Sequence, residues 1–364
     1  CSFATIMQYV VPGFLQGYLY TVAGYDVYAS WVAVAIIASA LIVYIQYIGT
    51  KKAAKLQNIL TCIIAGVGLL LVAGSAVTGD MNNLSGQEFV GDNGGDIISN
   101  ILKVAIMTPF FLFGFDVIPQ AAEEINMPLK RLGKLMIASI GMAVVFYAMI
   151  VVAIGYVMNP EQIAVSMADT GMVTADAIAI AFSNEAMTKV LIIGGLCGIV
   201  TTWNSFLIGG SRVIFSMSKA RMLPKTFSKL HPEYNTPWVA ILFLGILSMI
   251  APLFGRVMLV WIVDAANFAC CLAYCMVALS FLRLRKTKPN MARPFRVKSG
   301  QLIGSLAVLM SGFMALMYMI PGTNCSLSWQ EWIIVGGWAF IGVLMAIRAV
   351  RLYGDDFCSV MNFE

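Results

Sequence analysis

The chain alternates long apolar runs with short polar stretches. Ten of the runs approach the roughly 20 residues that an α-helix needs to cross the hydrocarbon core of a bilayer. They cover residues 2–24, 28–48, 57–77, 98–121, 135–158, 187–215, 237–254, 257–282, 302–320 and 332–350. The polar stretches between them are too short to bury a core of their own. This pattern predicts an all-α polytopic membrane protein with about ten transmembrane helices.

The composition supports this fold class. Hydrophobic residues make up 60% of the 364 residues and charged residues only 11%, whereas a soluble domain is about half apolar and about a quarter charged. The net charge of +5 therefore indicates contact with the lipid bilayer and not with nucleic acid. The eight cysteines have no metal-ligand or disulfide spacing, so we predict neither a metal site nor a cofactor.

The basic residues predict which helix ends face the cytoplasm. Twenty of the 23 Lys and Arg residues lie after every second predicted helix or in the tail, and only Lys103, Lys189 and Arg256 lie at the opposite ends. By the positive-inside rule the basic stretches are cytoplasmic. We therefore expect a cytoplasmic C-terminus. Residue 1 is Cys and not Met, and the residues after it do not have the pattern of a signal peptide, so we also expect the chain to start inside a longer protein.

Residues 110–128, FFLFGFDVIPQAAEEINMP, depart from the plain apolar pattern. Pro109 and Pro119 each remove a backbone donor, and Gly114 permits dihedral angles that other residues resist. We predict that the helix unwinds between the two prolines. Irregular backbone at this depth is tolerated only where it is buried in protein or lines a cavity. The second half-helix would then present a positive end that suits a substrate carboxylate.

Two acids lie well inside apolar helices, Asp116 in the fourth and Asp264 in the eighth. An acid at a helix centre costs about 2.5 kcal/mol or more, so each is a candidate functional residue. A structural hydrogen bond to a neighbouring helix is the open alternative for both. Aromatic side chains surround the predicted break and either contact a substrate or face lipid. They are Phe110, Phe111, Phe113 and Phe115.

The sixth predicted helix is rich in small and polar residues. Gly194 and Gly198 form a G-x-x-x-G step, which predicts a helix packed closely against its neighbours. Asn204 and Ser205 belong to a polar strip that either lines a pathway or bonds to other helices. We take them, with Asp264, as candidates for a pathway or for ion coupling.

Catalytic motifs are absent from the sequence. The single His, His231, lies in a polar stretch, and no H-E-x-x-H, G-x-S-x-G or P-loop pattern occurs. We predict that the protein is not an enzyme.

Four stretches, in the correct order, resemble the amino acid permeases of the amino acid–polyamine–organocation (APC) superfamily. The first resembles the loop between the family's fourth and fifth helices, the second its sixth helix, the third its eighth helix and the last the loop after its tenth helix. They are GTKKAAKLQN (49–58), FFLFGFDVIPQAAEEINMPLK (110–130), residues 204–238 with Ser211-Arg212, and LRLRKTKPNMARPFR (282–296) with Arg293-Pro294-Phe295.

The resemblance implies a LeuT-like fold of five plus five helices in inverted repeat. The first predicted helix corresponds to the family's third, so the expected fold is partial and lacks the first two helices. We expect a single transmembrane permease domain over residues 1–364. Within it, residues 1–77 are the remainder of the first repeat, 98–282 are the second repeat, and 302–350 are two C-terminal helices.

The resemblance also implies a substrate site at the break. Asp116 falls at an acidic position that handles substrate or a proton. Some proton-coupled members carry a Lys in the family's fifth helix. The corresponding residues here, 58–71, contain no Lys, so the resemblance does not support proton coupling through such a residue. The implied substrate contacts are an aromatic gate at Phe110 and the unwound residues Phe111, Leu112, Phe113 and Gly114.

The expected function is secondary active transport of amino acids across the plasma membrane by alternating access. The expected partners are a small-molecule amino acid and a coupled H+ or Na+, in symport or exchange. A polyamine or organic-cation transporter is the alternative, with Asp116 and Asp264 holding an amine. A transporter-like membrane sensor or enzyme is less favoured, because a sensor needs a soluble extension and an enzyme needs a nucleophile–base pair.

Overall fold

A computed structural model describes residues 2–11, 13–85, 94–122, 128–169, 171–255, 257–293, 295–323 and 325–354. Its helices and strands are α1 (Ser2–Val10), β1 (Tyr18–Val22), β2 (Tyr25–Tyr28), α2 (Ala29–Tyr47), α3 (Thr50–Thr78), α4 (Met81–Ser85), α5 (Gly94–Leu112), α6 (Val117–Gln120), α7 (Leu129–Val157), α8 (Pro160–Asp169), α9 (Val173–Phe182), α10 (Ala186–Lys219), α11 (Trp238–Ile250), α12 (Val257–Thr287), α13 (Gly300–Met319) and α14 (Trp329–Tyr353). Short 3-10 helices cover Lys225–Ser228 and Ala251–Phe254.

Among the described residues, seven helices are long and apolar enough to cross a membrane, namely α2, α3, α7, α10, α12, α13 and α14. The predicted all-α polytopic membrane fold is therefore confirmed, and the protein is a multi-pass membrane protein. Two further predicted segments contain shorter apolar helices, α5 and α11. The inverted repeat and the division of the domain stay predictions.

The first predicted membrane helix, 2–24, is wrong beyond Val10. The strands β1 and β2 pair antiparallel instead. Ala23 and Gly24 join them with φ angles of 46° and 85°, and two positive φ values are typical of the tight type I′ turn that closes a two-residue hairpin. Tyrosine and valine favour strands, and apolar content alone did not distinguish this hairpin from a helix.

Two polar stretches that the sequence places between helices are helical. The helix α3 starts at Thr50, directly after Gly49, so most of the stretch 49–58 is not a loop. Residues 160–182 contain α8 and α9. In α9, Ala177 and Ile178 are completely buried in a core with Leu71 of α3. This stretch, which the sequence leaves between two predicted helices, is therefore partly a packing element of the fold.

The first compact unit comprises residues 1–89, 139–218 and 224–256. In it α2 packs against α11, where a Cβ added at Gly245 would lie 2.7 Å from a methyl carbon of Val43. The helix α10 approaches α3 at Gly194, where an added Cβ would lie 3.0 Å from Val67. The close packing predicted from the G-x-x-x-G step is therefore confirmed.

The segment after α10 is fixed to the end of α2. The Thr236 hydroxyl donates to the carbonyl oxygen of Tyr47 over 3.0 Å, and the ring of His231 lies 5.0 Å from that of Tyr47. The Nδ1 atom of His231 accepts backbone N–H groups from Glu233 and Tyr234. The single histidine therefore has a structural role in this segment.

The second compact unit comprises residues 90–138, 219–223 and 257–364. In it α12 packs against α13, α14 and α5, and the buried residues Ile106, Phe268, Cys271 and Tyr318 form its core. The Tyr318 hydroxyl donates to the carbonyl oxygen of Ile106 over 3.3 Å. This contact fixes α5 two turns before its end and so positions the residues that follow.

The close approach of α2 and α11 generates a first prediction. We expect Gly245→Ala to lower the thermal unfolding midpoint of the detergent-purified protein, because overpacking a tight contact costs about 1–3 kcal/mol. Gly336→Ala in α14 is the matched control, since no atom lies within 4 Å of its added Cβ. Both changes gain up to about 1 kcal/mol of helix propensity. Equal midpoints for the two variants would contradict the close approach.

Candidate functional site

The predicted break in the fourth apolar segment is confirmed. The helix α5 ends at Leu112 and α6 begins at Val117. Between them the backbone turns at Gly114, whose φ of 124° is a conformation that other residues rarely adopt. The turn is closed by hydrogen bonds from the Val117 N–H to the Gly114 carbonyl over 3.2 Å and from the Ile118 N–H to the Phe115 carbonyl over 3.3 Å.

The carboxylate of Asp116 is bound to its own turn. One oxygen accepts the Gly114 N–H over 3.0 Å, and the other accepts the side-chain amide of Gln120 over 3.2 Å. The side chain is only half-buried. Because a carboxylate has about four acceptor positions, Asp116 stabilises the turn and still retains acceptor capacity for a ligand.

The expected positive end of the second half-helix is not formed. The helix α6 has one turn, and its N–H groups are already used: those of Val117, Ile118 and Gln120 donate to preceding carbonyls, and Pro119 has none. No free backbone N–H of α6 therefore remains for a substrate carboxylate. Glu123 and Glu124, which the sequence places at the exit of this segment, lie outside the described residues.

Aromatic side chains line one side of the break. Phe113 and Phe115 pack against Tyr274 of α12, with ring centroids 6.4 and 5.8 Å apart. The Tyr274 hydroxyl is buried and has no hydrogen-bond partner in the described part of the chain. Phe111 is 54% exposed. The backbone of Phe110 lies in α5, and its side chain lies outside what the structure describes.

Tyr274 is the residue of this site that the sequence did not reveal. Its hydroxyl provides the unpaired polar group beside an otherwise aromatic surface. A tyrosine in an apolar helix is unremarkable in the sequence, and only the packing of α12 beside the break identifies it.

Asn204 lies at the centre of a buried amide network. Its Oδ1 accepts the Gln46 side-chain amide of α2 over 2.5 Å. Its Nδ2 donates to the Gln57 Oε1 of α3 over 2.9 Å and to the Ala53 carbonyl over 3.2 Å. Gln57 in turn donates to the Ser205 hydroxyl over 3.1 Å. The structure thus brings the predicted residues Asn204 and Ser205 together with two glutamines.

This network joins α2, α3 and α10. Gln46 is 0% and Asn204 1% exposed. The sequence left two alternatives for the polar strip, a pathway or bonds to other helices, and this burial favours the bonds to other helices. The Gln46 Oε1 atom is buried and has no partner in the described ranges. Gln46 and Gln57 were missed because a single glutamine near a helix end carries no signal until its partners are known.

Asp264 belongs to a different part of α12. Its carboxyl group lies within hydrogen-bonding reach of that of Glu331, which accepts the Ser328 N–H over 2.7 Å at the start of α14. Ten residues separate Asp264 from Tyr274, which is about 15 Å along a helix. The structure therefore does not bring Asp264 to the break, and a contact with α14 explains its position.

Within the described ranges, no group of three or more His, Cys, Asp or Glu residues is arranged to hold a metal ion. The site instead offers a carboxylate, a phenol hydroxyl and aromatic faces around an irregular backbone. Groups of these kinds are typical of pockets that bind small molecules through hydrogen bonds and apolar contact.

A model of the amino acid permease family matches residues 1–345. The chain belongs to this family. It is 28% identical to the branched-chain amino acid permease of Bacillus subtilis (strain 168), over 84% of this chain and 61% of the relative. It is 27% identical to the methylthioribose transporter of the same organism, over 79% of this chain and 59% of that protein.

A further relative is the glutamate/serine transporter of Bacillus subtilis (strain 168), which is 27% identical over 80% of this chain and 51% of the relative. The family resemblance inferred from the sequence is thus confirmed, and the family consists of transporters. The chain spans about three fifths or less of the length of these curated relatives.

The amide network generates a second prediction. We expect Asn204→Ala to destabilise the protein by about 1–3 kcal/mol. It removes the side-chain acceptor of the Gln46 amide and the donor to the Gln57 Oε1 and the Ala53 carbonyl. Thermal unfolding in detergent measures the loss. Asn290→Ala, in an exposed turn, is the control and should leave the midpoint unchanged. A midpoint for Asn204→Ala that matches this control would show that the network contributes nothing to stability.

Proposed function

We propose that the full-length protein is a secondary active amino acid transporter of the plasma membrane. The observation that supports this most strongly is the break at residues 113–116, in an apolar segment of a multi-pass chain that belongs to the permease family. A helix break at membrane depth must be buried in protein or line a water-filled cavity. Transporters with broken helices bind substrate at such breaks.

The chemistry of the break favours an amino acid with an apolar side chain. Phe113, Phe115 and Tyr274 form an aromatic surface suited to an apolar group. The remaining acceptor positions of Asp116 suit the substrate ammonium group, and the Tyr274 hydroxyl supplies a hydrogen bond to the polar end. A relative is named a branched-chain amino acid permease, which agrees with this choice of substrate class.

The break also supplies a hinge for alternating access. The turn at Gly114 interrupts the helical hydrogen bonds, so α5 and α6 can change their relative orientation at low cost. Hinges of this type are a few residues that absorb a change in backbone angles. We further propose that transport is coupled to H+ or Na+. In this proposal the basic stretches and the C-terminus lie on the cytoplasmic side of the membrane.

The transport of polyamines is less favoured. Asp264 contacts Glu331 and lies about 15 Å along α12 from the tyrosine beside the break. A short diamine held by both Asp116 and Asp264 does not fit this arrangement, so only one acid remains for an amine.

The role proposed for Asp116 generates a third prediction. Asp116→Asn keeps an oxygen for the Gly114 N–H and removes the charge, so the turn persists while the ammonium partner is lost. We expect uptake of radiolabelled leucine into proteoliposomes containing the full-length protein to fall at least about tenfold, since hydrogen bonds to charged groups contribute about 1.5–3 kcal/mol.

The control for Asp116→Asn is Asp26→Asn in the β-hairpin, where the acid accepts a hydrogen bond from Thr21 in an exposed position. It should leave uptake unchanged. Normal uptake by Asp116→Asn would reject the proposed role of its charge. In the same vesicles, unlabelled leucine should compete with the label and putrescine should not. Competition by putrescine alone would replace the amino acid with an organic amine as substrate.

The unpaired hydroxyl of Tyr274 generates a fourth prediction. We expect Tyr274→Phe to raise the KM for leucine uptake up to about tenfold through the loss of one hydrogen bond of about 0.5–1.5 kcal/mol. The packing against Phe113 and Phe115 should persist, so the thermal midpoint should not fall. Tyr25→Phe in the exposed hairpin is the control. An unchanged KM in Tyr274→Phe would show that this hydroxyl does not touch the substrate.

A further inference from the structure

A cleft of about 330 Å³ lies where α12 ends and α13 begins. It is lined by Arg285, Pro289, Arg293, Arg296 and Val297, all within the second compact unit. In the sequence these arginines belong to the basic stretches that orient the helices, which we call the basic collar. Such a collar requires net charge and no defined geometry, whereas Arg285 and Arg293 are held by hydrogen bonds in this cleft.

Arg293 is a structural anchor of the cleft. Its guanidinium donates to the carbonyl oxygens of Pro289 over 3.0 Å, Met291 over 3.2 Å, Leu284 over 3.3 Å and Lys288 over 2.9 Å. These carbonyls belong to the last turn of α12 and the turn that follows it. Arg293 therefore caps the negative end of the helix and holds the segment that forms one wall of the cleft.

Arg285 is held on three sides. Its Nη2 donates to the Val297 carbonyl over 3.2 Å, and its guanidinium carbon lies 4.6 Å from the centroid of the Phe281 ring. The third contact is with Gly300, where any added Cβ would collide with the guanidinium. The close approach of Gly300 is what admits this arginine to the wall of the cleft.

The Nε–H of Arg285 is buried and has no acceptor among the described residues. Because this atom is buried, it reflects how tightly Arg285 is packed into the wall of the cleft, and it does not itself identify a ligand. None of the residues that line the cleft is acidic. The lining therefore carries three guanidinium groups without a compensating acid, which favours an anion from outside the chain.

The arginines and their surroundings indicate which anion fits. Arg296 is exposed, and its planar fork of donors matches the oxygens of a phosphate group. Apolar side chains of the two adjoining helices are also exposed, with Leu284 at 44%, Leu302 at 62% and Ile303 at 48%. A phospholipid combines a phosphate group for the arginines with acyl chains for exposed apolar side chains of this kind.

We propose that this cleft is a binding site for a phosphate group, with Arg285 and Arg296 as its ligands and Arg293 as its anchor. The headgroup of an anionic phospholipid supplies that phosphate at a membrane surface, and a soluble phosphate supplies the same chemistry. The site is separate from the helix break, so its test does not depend on transport.

The test is a lipid titration of the full-length protein in detergent, followed by native mass spectrometry. The probes are phosphatidylglycerol, phosphatidylcholine and inorganic phosphate. Arg285→Lys keeps the charge and loses the fork, and Gly300→Ala keeps every charge and displaces the guanidinium. We expect each variant to bind phosphatidylglycerol about tenfold more weakly, which corresponds to about 1.4 kcal/mol, with the weaker binding of phosphatidylcholine unchanged.

The matched control is Arg283→Lys, an exposed residue of the same helix that does not line the cleft, and it should bind like the unmodified protein. An equal loss in this control, or no loss in Arg285→Lys and Gly300→Ala, overturns the proposal in favour of a diffuse collar. Inorganic phosphate that binds with the same dependence on Arg285, without a preference for phosphatidylglycerol, supports the site and identifies a soluble ligand.

Size-exclusion elution checks that each variant is folded. Should Arg285→Lys elute as aggregate, Arg296→Lys gives the same test at an exposed residue of the lining, because it also keeps the charge and loses the fork. Weaker phosphatidylglycerol binding by Arg296→Lys than by Arg283→Lys supports the proposal, and equal binding by these two folded variants overturns it.

Discussion

Backbone N–H and C=O groups that enter a bilayer must find their partners within the protein, and this requirement governs the rest of the structure. A continuous helix meets it automatically, whereas a break must meet it group by group. At residues 113–116 the partners are local: backbone carbonyls take the N–H groups of α6, and the Asp116 carboxylate takes that of Gly114. An acid inside an apolar segment thus allows the helix to stop and start again.

The same requirement explains the amide network of the first unit. Burying the amide side chains of Asn204, Gln46 and Gln57 in a membrane costs free energy unless these groups bond to one another. The three helices that carry them meet at these hydrogen bonds. The network therefore fixes which residues of α2, α3 and α10 face each other. Small residues such as Gly194 permit the approach, but they do not choose the register, because apolar contacts are not directional.

The sequence predicts whatever depends on neighbours along the chain. The long apolar helices and the break around Gly114 follow from hydropathy, proline and glycine, and the structure has them. The hairpin at Tyr18–Tyr28 was missed because its tyrosines and valines count as apolar residues, and an apolar run does not show by itself whether it forms a helix or a strand. Gln46, Gln57 and Tyr274 were missed for another reason. Their roles come from residues far away in sequence, such as Asn204 and Phe115, and no local pattern contains that information.

The amide network also has a direction. Gln46 donates to Asn204, Asn204 to Gln57 and Gln57 to Ser205, so every amide along it points the same way. An aspartate at position 204 would match asparagine in size and would still accept from Gln46, yet it would place an oxygen against the oxygens of Gln57 and Ala53. The helix interface thus distinguishes two side chains of the same shape by the polarity of one atom.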